Sequence, residues 1–196
     1  MLPKLRNRRE VVAGGLGLAM AGMMATLPAA AQGWTGKRVL VVYYSRTGHT
    51  RAIAEMIQRH TGVEIETLEP YPDDYDALVA QNVAEQRSGF LPPLRTRIET
   101  IGAYDIVFVG SPLWNVRLTP PVRSFLATHA LAGATIAPFV TYIVSRLGRA
   151  QEDVAELAPE ARIINGLAVL GEEAEMAEGA VSIWLATSRS TEETSR

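Results

Sequence analysis

Hydrophobic stretches alternate with amphipathic stretches along most of the chain. Residues 39–44, 106–110 and 136–141 are rich in β-branched and aromatic side chains and contain almost no charge. Unbroken runs of this length are typical of strands that are buried on both faces of a parallel sheet. Residues 63–68 alternate hydrophobic and acidic side chains, as an edge strand does. Residues 163–170 predict a fifth strand, which Asn165-Gly166 interrupts with a bulge or a bend.

The amphipathic stretches between these strands predict five helices. Their hydrophobic residues recur every three or four positions, as on the buried face of a helix. The predicted helices begin near residues 50, 75, 120, 148 and 172. Five strands that alternate with five helices predict a doubly wound α/β fold with a parallel sheet and helices on both faces. The Ser-, Thr- and Glu-rich residues 189–196 are predicted to be a disordered tail.

Residues 1–31 are predicted to be an export signal. Arg8-Arg9 precedes an uncharged run from Val11 to Leu27, and Ala29-Ala30-Ala31 supplies the small residues that a signal peptidase recognises. The paired arginines favour a twin-arginine (Tat) signal over a general secretory signal. We therefore expect the Tat translocase to export the protein to the bacterial periplasm or the medium. No stable membrane anchor is expected to remain, and the folded domain is predicted to span residues 32–188.

Composition narrows the possible functions. The chain has 196 residues and no cysteine, which excludes a disulfide framework, a catalytic thiol and a thiolate metal site. Four of the 19 Lys and Arg residues, but only one of the 21 Asp and Glu residues, lie in the first ten positions, so the remainder has a net charge of −5. A domain with a net negative charge gives no sign of the basic surface that binds nucleic acid. The sequence also shows no spacing of three metal ligands, and no metal site is expected.

The turn after the first predicted strand has the chemistry of a phosphate site. Its sequence is Ser45-Arg46-Thr47-Gly48-His49-Thr50, and a helix follows at once. Such a turn brings backbone N–H groups, three hydroxyls and the positive end of a helix dipole to one place. It has neither the three glycines of GxGxxG nor the lysine of a Walker A loop. The alternative is an ordinary Ser/Thr-rich turn that caps a helix.

Two further turns follow the next central strands. The turn Ser111-Pro112-Leu113-Trp114-Asn115 carries an aromatic side chain that is either a cover for the core or a platform for a flat ring. Thr141 and Tyr142 end the third central strand. Carboxyl ends of parallel strands meet at one edge of a sheet, so the three turns are predicted to line one crevice.

Together these residues resemble the flavodoxin family. Residues 45–50 are similar to its phosphate loop, [Ser/Thr]-x-Thr-Gly-x-Thr, and residues 110–115 to its Gly-x-Pro-[Ile/Leu]-Trp segment beside the isoalloxazine ring. The similarity spans about residues 37–187. It implies a three-layer sandwich with a five-stranded sheet in the order 2-1-3-4-5 and non-covalently bound FMN. The residues implied to bind the cofactor are Ser45, Arg46, Thr47, Gly48, His49, Thr50, Ser111, Pro112, Leu113, Trp114, Asn115, Thr141 and Tyr142.

One loop departs from the family pattern. Many relatives carry a glycine-rich loop after the third central strand, whereas residues 142–147 here are Tyr-Ile-Val-Ser-Arg-Leu. Either Tyr142 covers the second face of the flavin or a bulkier loop crowds it. The resemblance implies electron transfer with a redox partner protein or a small electron donor or acceptor. The alternatives are an FMN-dependent NAD(P)H or quinone oxidoreductase, and a binding protein that has kept the fold and lost FMN.

Overall fold

The structure, a computed structural model, describes residue 34 and residues 36–68, 75–95 and 97–194. The predicted export signal, residues 1–31, lies outside the described residues. The strands are β1 (Val39–Tyr43), β2 (Glu64–Thr67), β3 (Ile106–Trp114), β4 (Arg117–Leu118), β5 (Thr135–Tyr142), β6 (Arg162–Ile163) and β7 (Leu167–Leu170). The α-helices are α1 (His49–Thr61), α2 (Tyr75–Ser88), α3 (Pro120–Thr128), α4 (Ala150–Leu157) and α5 (Glu178–Thr194).

The described strands form one sheet in the order β2-β1-β3-β5-β6. Neighbours along this path are parallel, and Val41 of β1 lies between Ile65 of β2 and Phe108 of β3. β7 also pairs in parallel with β5, while β4 forms an antiparallel hairpin with β3. With β6 and β7 counted as one interrupted strand, the predicted order 2-1-3-4-5 is confirmed.

Helices cover both faces of the sheet, so the core has two layers. On one face Val41 and Phe108 pack with residues of α1 and α5, including Ile53 and Val181. On the other face the next residues along each strand pack with residues of α3 and α4; these include Leu40, Val107, Val122, Phe125 and Val154. Strands covered on both faces must be hydrophobic throughout, which explains the unbroken runs in the sequence. None of the described helices is both long and hydrophobic enough to cross a bilayer.

Pro138 explains the gap between β6 and β7. It lies in the middle of β5 and has no N–H group to offer to a neighbouring strand. On this side β6 ends at Ile163, and β7 begins only at Leu167. Gly166 in the gap lies so close that an added Cβ would be 3.0 Å from the Pro138 carbonyl oxygen. Pro138 and the interruption predicted at Asn165-Gly166 are therefore two sides of one feature.

β3 is longer than predicted. The strand continues from Gly110 to Trp114, and β4 returns along it, with Trp114 opposite Arg117. The two residues between them, Asn115 and Val116, both have positive φ angles, 51° and 59°, as a type I′ hairpin turn requires. The prediction of a turn from Ser111 was wrong because Ser111 and Pro112 still pair with β5.

The C-terminal helix also differs from its prediction. Residues 171–176 form a 3₁₀ helix, and α5 extends from Glu178 to Thr194, so the prediction of disorder was wrong for residues 189–194. Residues 195–196 lie outside the described residues. Ser188 is buried, so the helix still packs on the domain where the polar composition begins. Hydroxyls of Ser190 and Thr191 donate to carbonyls four residues earlier, at 3.2 and 3.1 Å, and so are satisfied within the helix.

An ion pair between the buried Asp153 and the partly exposed Arg117 fixes the β3–β4 hairpin to α4. Asp153 of α4 is fully buried and accepts hydrogen bonds from Arg117 Nε at 2.8 Å and from the Leu118 N–H at 2.9 Å. Arg117 Nη2 also bonds to Asp153 and reaches Glu156 at 3.1 Å. The hydrogen bond to Asp153 raises the pKa of Arg117 above its ordinary value. The Asp153 carboxylate therefore holds β4, and with it the hairpin that carries Trp114, on α4.

We predict that Asp153→Ala lowers the free energy of unfolding by about 1–3 kcal/mol, because it leaves the buried Leu118 N–H without an acceptor, whereas the partly exposed Arg117 keeps Glu156 as a partner. Urea denaturation of the purified protein measures this. Glu156→Gln is the matched control, since Glu156 is exposed, and it should cost at most about 1 kcal/mol. An Asp153→Ala variant as stable as the control would show that the ion pair does not hold the hairpin.

Candidate functional site

A cavity of about 830 Å³ lies at the carboxyl ends of β1, β3 and β5. Eleven of the thirteen predicted site residues line it; Gly48 and Ser111 do not. These eleven are Ser45, Arg46, Thr47, His49, Thr50, Pro112, Leu113, Trp114, Asn115, Thr141 and Tyr142. The structure thus brings all three predicted turns to one crevice.

The turn between β1 and α1 has the features of an anion site. Gly48 precedes the helix with a φ angle of 92°, a left-handed conformation that favours glycine. No acidic residue lies in the first turn of α1, so the N–H groups and the dipole there face no negative side chain on their own helix. The Ser45 hydroxyl is buried and has no hydrogen-bond partner among the described residues. A buried hydroxyl without a partner is costly, and an anion in the cavity would satisfy it.

Two side chains add to the chemistry of this turn: Arg46 adds a positive charge, and His49 adds a hydrogen-bonding ring. Arg46 lines the cavity and is close enough to Tyr44 to oppose the rise in the pKa of that phenol. His49 Nδ1 lies 3.4 Å from Thr47 Oγ1. The imidazole also packs against Gly171, where an added Cβ would lie 3.0 Å from Nδ1. Glu172, next to Gly171, is the acidic residue among those that line the cavity.

Thr50 and Thr141 connect the first and third turns. Both are buried, and their hydroxyl oxygens are 2.8 Å apart. This hydrogen bond joins the first turn of α1 to the end of β5. The Thr50 hydroxyl therefore has a partner within the protein, unlike the Ser45 hydroxyl.

Trp114 forms an aromatic wall of the cavity, with Tyr44 packed against it. Its ring meets Tyr44 edge to face, with 5.9 Å between centroids. Burial raises the pKa of Tyr44 to about 12, against the opposing effect of Arg46. The phenol consequently stays neutral at physiological pH, and the wall carries no charge. Tyr142 lines the same cavity from the end of β5.

Ser111 lies behind the cavity wall. It is fully buried, and its hydroxyl donates to the Pro112 carbonyl at 2.7 Å and accepts the Thr119 N–H at 3.0 Å. The Thr119 hydroxyl lies 3.0 Å from the same oxygen and makes no capping bond to α3. The Ser111 hydroxyl therefore bonds to Thr119, the residue before α3, and does not line the cavity.

The sequence analysis missed one wall of the cavity. Four residues of α2 line it, namely Leu78, Val79, Asn82 and Val83. The helical spacing of Leu78, Val79 and Val83 predicted a buried face, and periodicity alone does not distinguish a core face from a cavity face. The missed part of the lining also includes Leu170 at the end of β7, Gly171 and Glu172 just after it, and Ile143.

The third loop does not fill the cavity. Ile143 and Val144 are 84% and 87% exposed, so these bulky side chains point mainly to solvent at its mouth. Behind them the loop packs on the β3–β4 hairpin. Gly148, with a φ angle of 50°, lies so close that an added Cβ would be 2.3 Å from the Val116 carbonyl oxygen. Glycine at this position lets the loop and the hairpin meet.

The described residues contain no group of three His, Asp or Glu side chains that could hold a metal ion. What the cavity offers is a hydroxyl- and amide-lined end for an anion and an aromatic and aliphatic wall for a flat ring. These two halves belong to one space, since the same cavity touches both.

Comparison with known proteins agrees with this fold. A protein from Bacteroides eggerthii, described as a flavoprotein, is 26% identical over 78% of this chain and 98% of its own, with a TM-score of 0.67. A flavoprotein from Lactobacillus acidophilus, solved in complex with FMN, shares the fold at 19% identity over 74% of this chain and 99% of its own, with a TM-score of 0.56. The family model described as Flavodoxin matches residues 38–187. The chain belongs to the flavodoxin family.

Proposed function

We propose that this protein binds FMN non-covalently in the cavity and serves in electron transfer. Membership of the flavodoxin family supports the cofactor, as does the structural neighbour from Lactobacillus acidophilus that was solved with FMN. The observation that carries the proposal is the cavity itself. It combines a phosphate-type turn, in which the buried Ser45 hydroxyl has no partner among the described residues, with the rings of Trp114 and Tyr142.

The residues present fit FMN at both ends. The Ser45 hydroxyl, the Thr47 hydroxyl and the N–H groups at the start of α1 would hold the phosphate, and Arg46 and His49 lie beside them. The aromatic wall would hold the isoalloxazine ring. Bound FMN supplies reversible redox chemistry, while the protein supplies binding, orientation and electrostatics.

The open cavity favours a functional site over a fold that has lost FMN. The glycine-poor third loop was the reason to consider such a loss. In the structure Ile143 and Val144 are turned to solvent, and about 830 Å³ stays open beside them. This volume lies within the range of sites for cofactors and small ligands.

A second candidate function, an NAD(P)H or quinone oxidoreductase, is favoured by the mouth of the cavity. The exposed side chains there include Val79 of α2 and Ile143 of the third loop. A hydrophobic mouth gives a flat second molecule a surface to contact. Steady-state assays with NADH or NADPH as donor and a quinone as acceptor distinguish the two functions, because an electron carrier shows no turnover with either donor.

We also propose that the protein is exported in folded form through the Tat route. The twin arginines and the small residues up to Ala31 support this. Trp34 packs edge-on against Phe108 in the core, with 5.6 Å between ring centroids. A cut after Ala31 would leave this core residue on the mature chain.

We predict that the purified protein binds FMN with quenching of the flavin fluorescence, because an aromatic side chain lies at the ring end of the cavity. A titration followed by flavin emission measures this. Trp114→Leu should weaken the quenching, whereas Trp184→Phe, a change in the core, should not. Unquenched emission at saturating wild-type protein would contradict the proposed cofactor site.

We predict that Ser45→Ala and Thr47→Ala each weaken FMN binding by about 1–3 kcal/mol, the cost of one hydrogen bond to a charged group. Riboflavin, which lacks the phosphate, should bind these variants as it binds the wild type. Thr187→Ala, on the exposed part of α5, is the matched control. Equal losses for FMN and riboflavin would place the phosphate elsewhere.

We predict that replacing both Arg8 and Arg9 by Lys leaves the full-length precursor in the cytoplasm, because the Tat route recognises the arginine pair. Cell fractionation followed by immunoblotting detects precursor and mature protein. Normal processing of the double variant would indicate the general secretory route instead.

A further inference from the structure

Three side-chain amides form a continuous chain where α2 meets the β3–β4 hairpin. Asn115 Nδ2 donates to Gln86 Oε1 at 3.1 Å. Gln86 Nε2 in turn donates to Asn82 Oδ1 at 3.2 Å and to the Trp114 carbonyl at 3.0 Å. The chain therefore runs from Asn115, through Gln86, to Asn82 in the wall of the cavity.

The orientation of every amide in this chain follows from one backbone group. The Trp114 carbonyl can only accept a hydrogen bond, so the nitrogen of Gln86 must face it. Gln86 then presents its oxygen to Asn115 and its remaining N–H to Asn82. Asn82 must accept with its oxygen, which leaves its Nδ2 group as the free end of the chain.

This free donor belongs to a residue that is almost entirely buried. Asn82 is only 5% exposed and lines the cavity. Its Nδ2 group has no hydrogen-bond partner among the described residues. Nδ2 is not one of the fully buried polar atoms without a partner, so it is open to the cavity, where an acceptor on a bound molecule can take its hydrogen bond.

The surroundings of Asn82 indicate which part of a ligand this acceptor belongs to. The other α2 residues that line the cavity are Leu78, Val79 and Val83, which are aliphatic. Gln86, the partner of Asn82, contacts the backbone of Trp114. A hydrophobic wall next to an indole suits a flat ring, whereas the phosphate has its own donors at the start of α1.

We propose that Asn82 recognises the isoalloxazine ring through a hydrogen bond from Nδ2 to an acceptor atom on the ring edge. Gln86 is a positioning residue, since it sets which end of the Asn82 amide faces the cavity. The inference rests on the proposed binding of FMN. It gives α2 a role in recognising the ring, although α2 lies outside both flavin-type motifs in the sequence.

The test compares FMN with riboflavin, which share the ring and differ in the phosphate. Dissociation constants are measured by fluorescence titration for the wild type, Asn82→Leu and Asn82→Asp. Asn82→Leu should bind both flavins about 5- to 10-fold more weakly, the effect of one lost hydrogen bond. Asn82→Asp keeps the shape of the side chain and replaces the donor by an oxygen, so its loss should be at least as large.

Gln81→Leu is the matched control. Gln81 lies one residue away on the same helix, bonds to Glu85 at 2.8 Å and does not line the cavity. This variant should bind both flavins as the wild type does. Thermal unfolding of each ligand-free variant, followed by circular dichroism, shows that α2 is still folded. The reduction potential of bound FMN should also fall in Asn82→Asp, because a carboxylate beside the ring disfavours added electrons.

Two results would overturn the inference alone. One is wild-type affinity for both flavins in Asn82→Leu and Asn82→Asp. The other is a loss for FMN without a loss for riboflavin, which would place the donor at the phosphate. If the wild type binds neither flavin, that result contradicts the proposed function and therefore also this inference.

Discussion

The parallel pairing of β1, β3 and β5 is the constraint on which the site depends. Because these strands run in the same direction in neighbouring positions, the residues that follow them emerge at one edge of the sheet. The buried hydrogen bond between Thr50 and Thr141, 2.8 Å between oxygens, then joins the outer two of the three turns. Trp114, on the middle strand, is held from two sides, by Asp153 through the hairpin and by Gln86 of α2. The cavity is thus a product of strand order, and its walls are fixed by a few polar contacts.

Much of this arrangement could be predicted from the sequence, because the central strands leave a strong signal. Runs such as 39–44 and 106–110 are hydrophobic on both faces, and each ends in small or hydroxyl residues. The spacing of hydrophobic residues and the alternation of strands and helices along the chain together predict a doubly wound sheet. In such a sheet the turns that follow the central strands lie at one edge. The hydroxyl-rich turn at residues 45–50 and the indole of Trp114 could be recognised from residue type alone.

The remaining features depend on contacts that a local pattern does not contain. Ser111 and Pro112 have the composition of a turn, yet pairing with β5 keeps them in a strand, and the Ser111 hydroxyl bonds to Thr119. Asn82 occurs in an ordinary helical pattern, and only the neighbouring hairpin makes it the end of an amide chain. The polar stretch after Thr187 has the composition of a disordered tail, but the buried Ser188 keeps it in α5. In each case a tertiary partner decides the outcome.

The packing of Trp34 has a consequence for maturation. Three residues of extended chain span at most about 10 Å, so a peptidase that cuts after Ala31 would work within that distance of a side chain docked on Phe108. Under the proposed export, access to the cut and the docking of Trp34 would compete, and the order of folding, translocation and processing would then depend on the core as well as on residues 1–31.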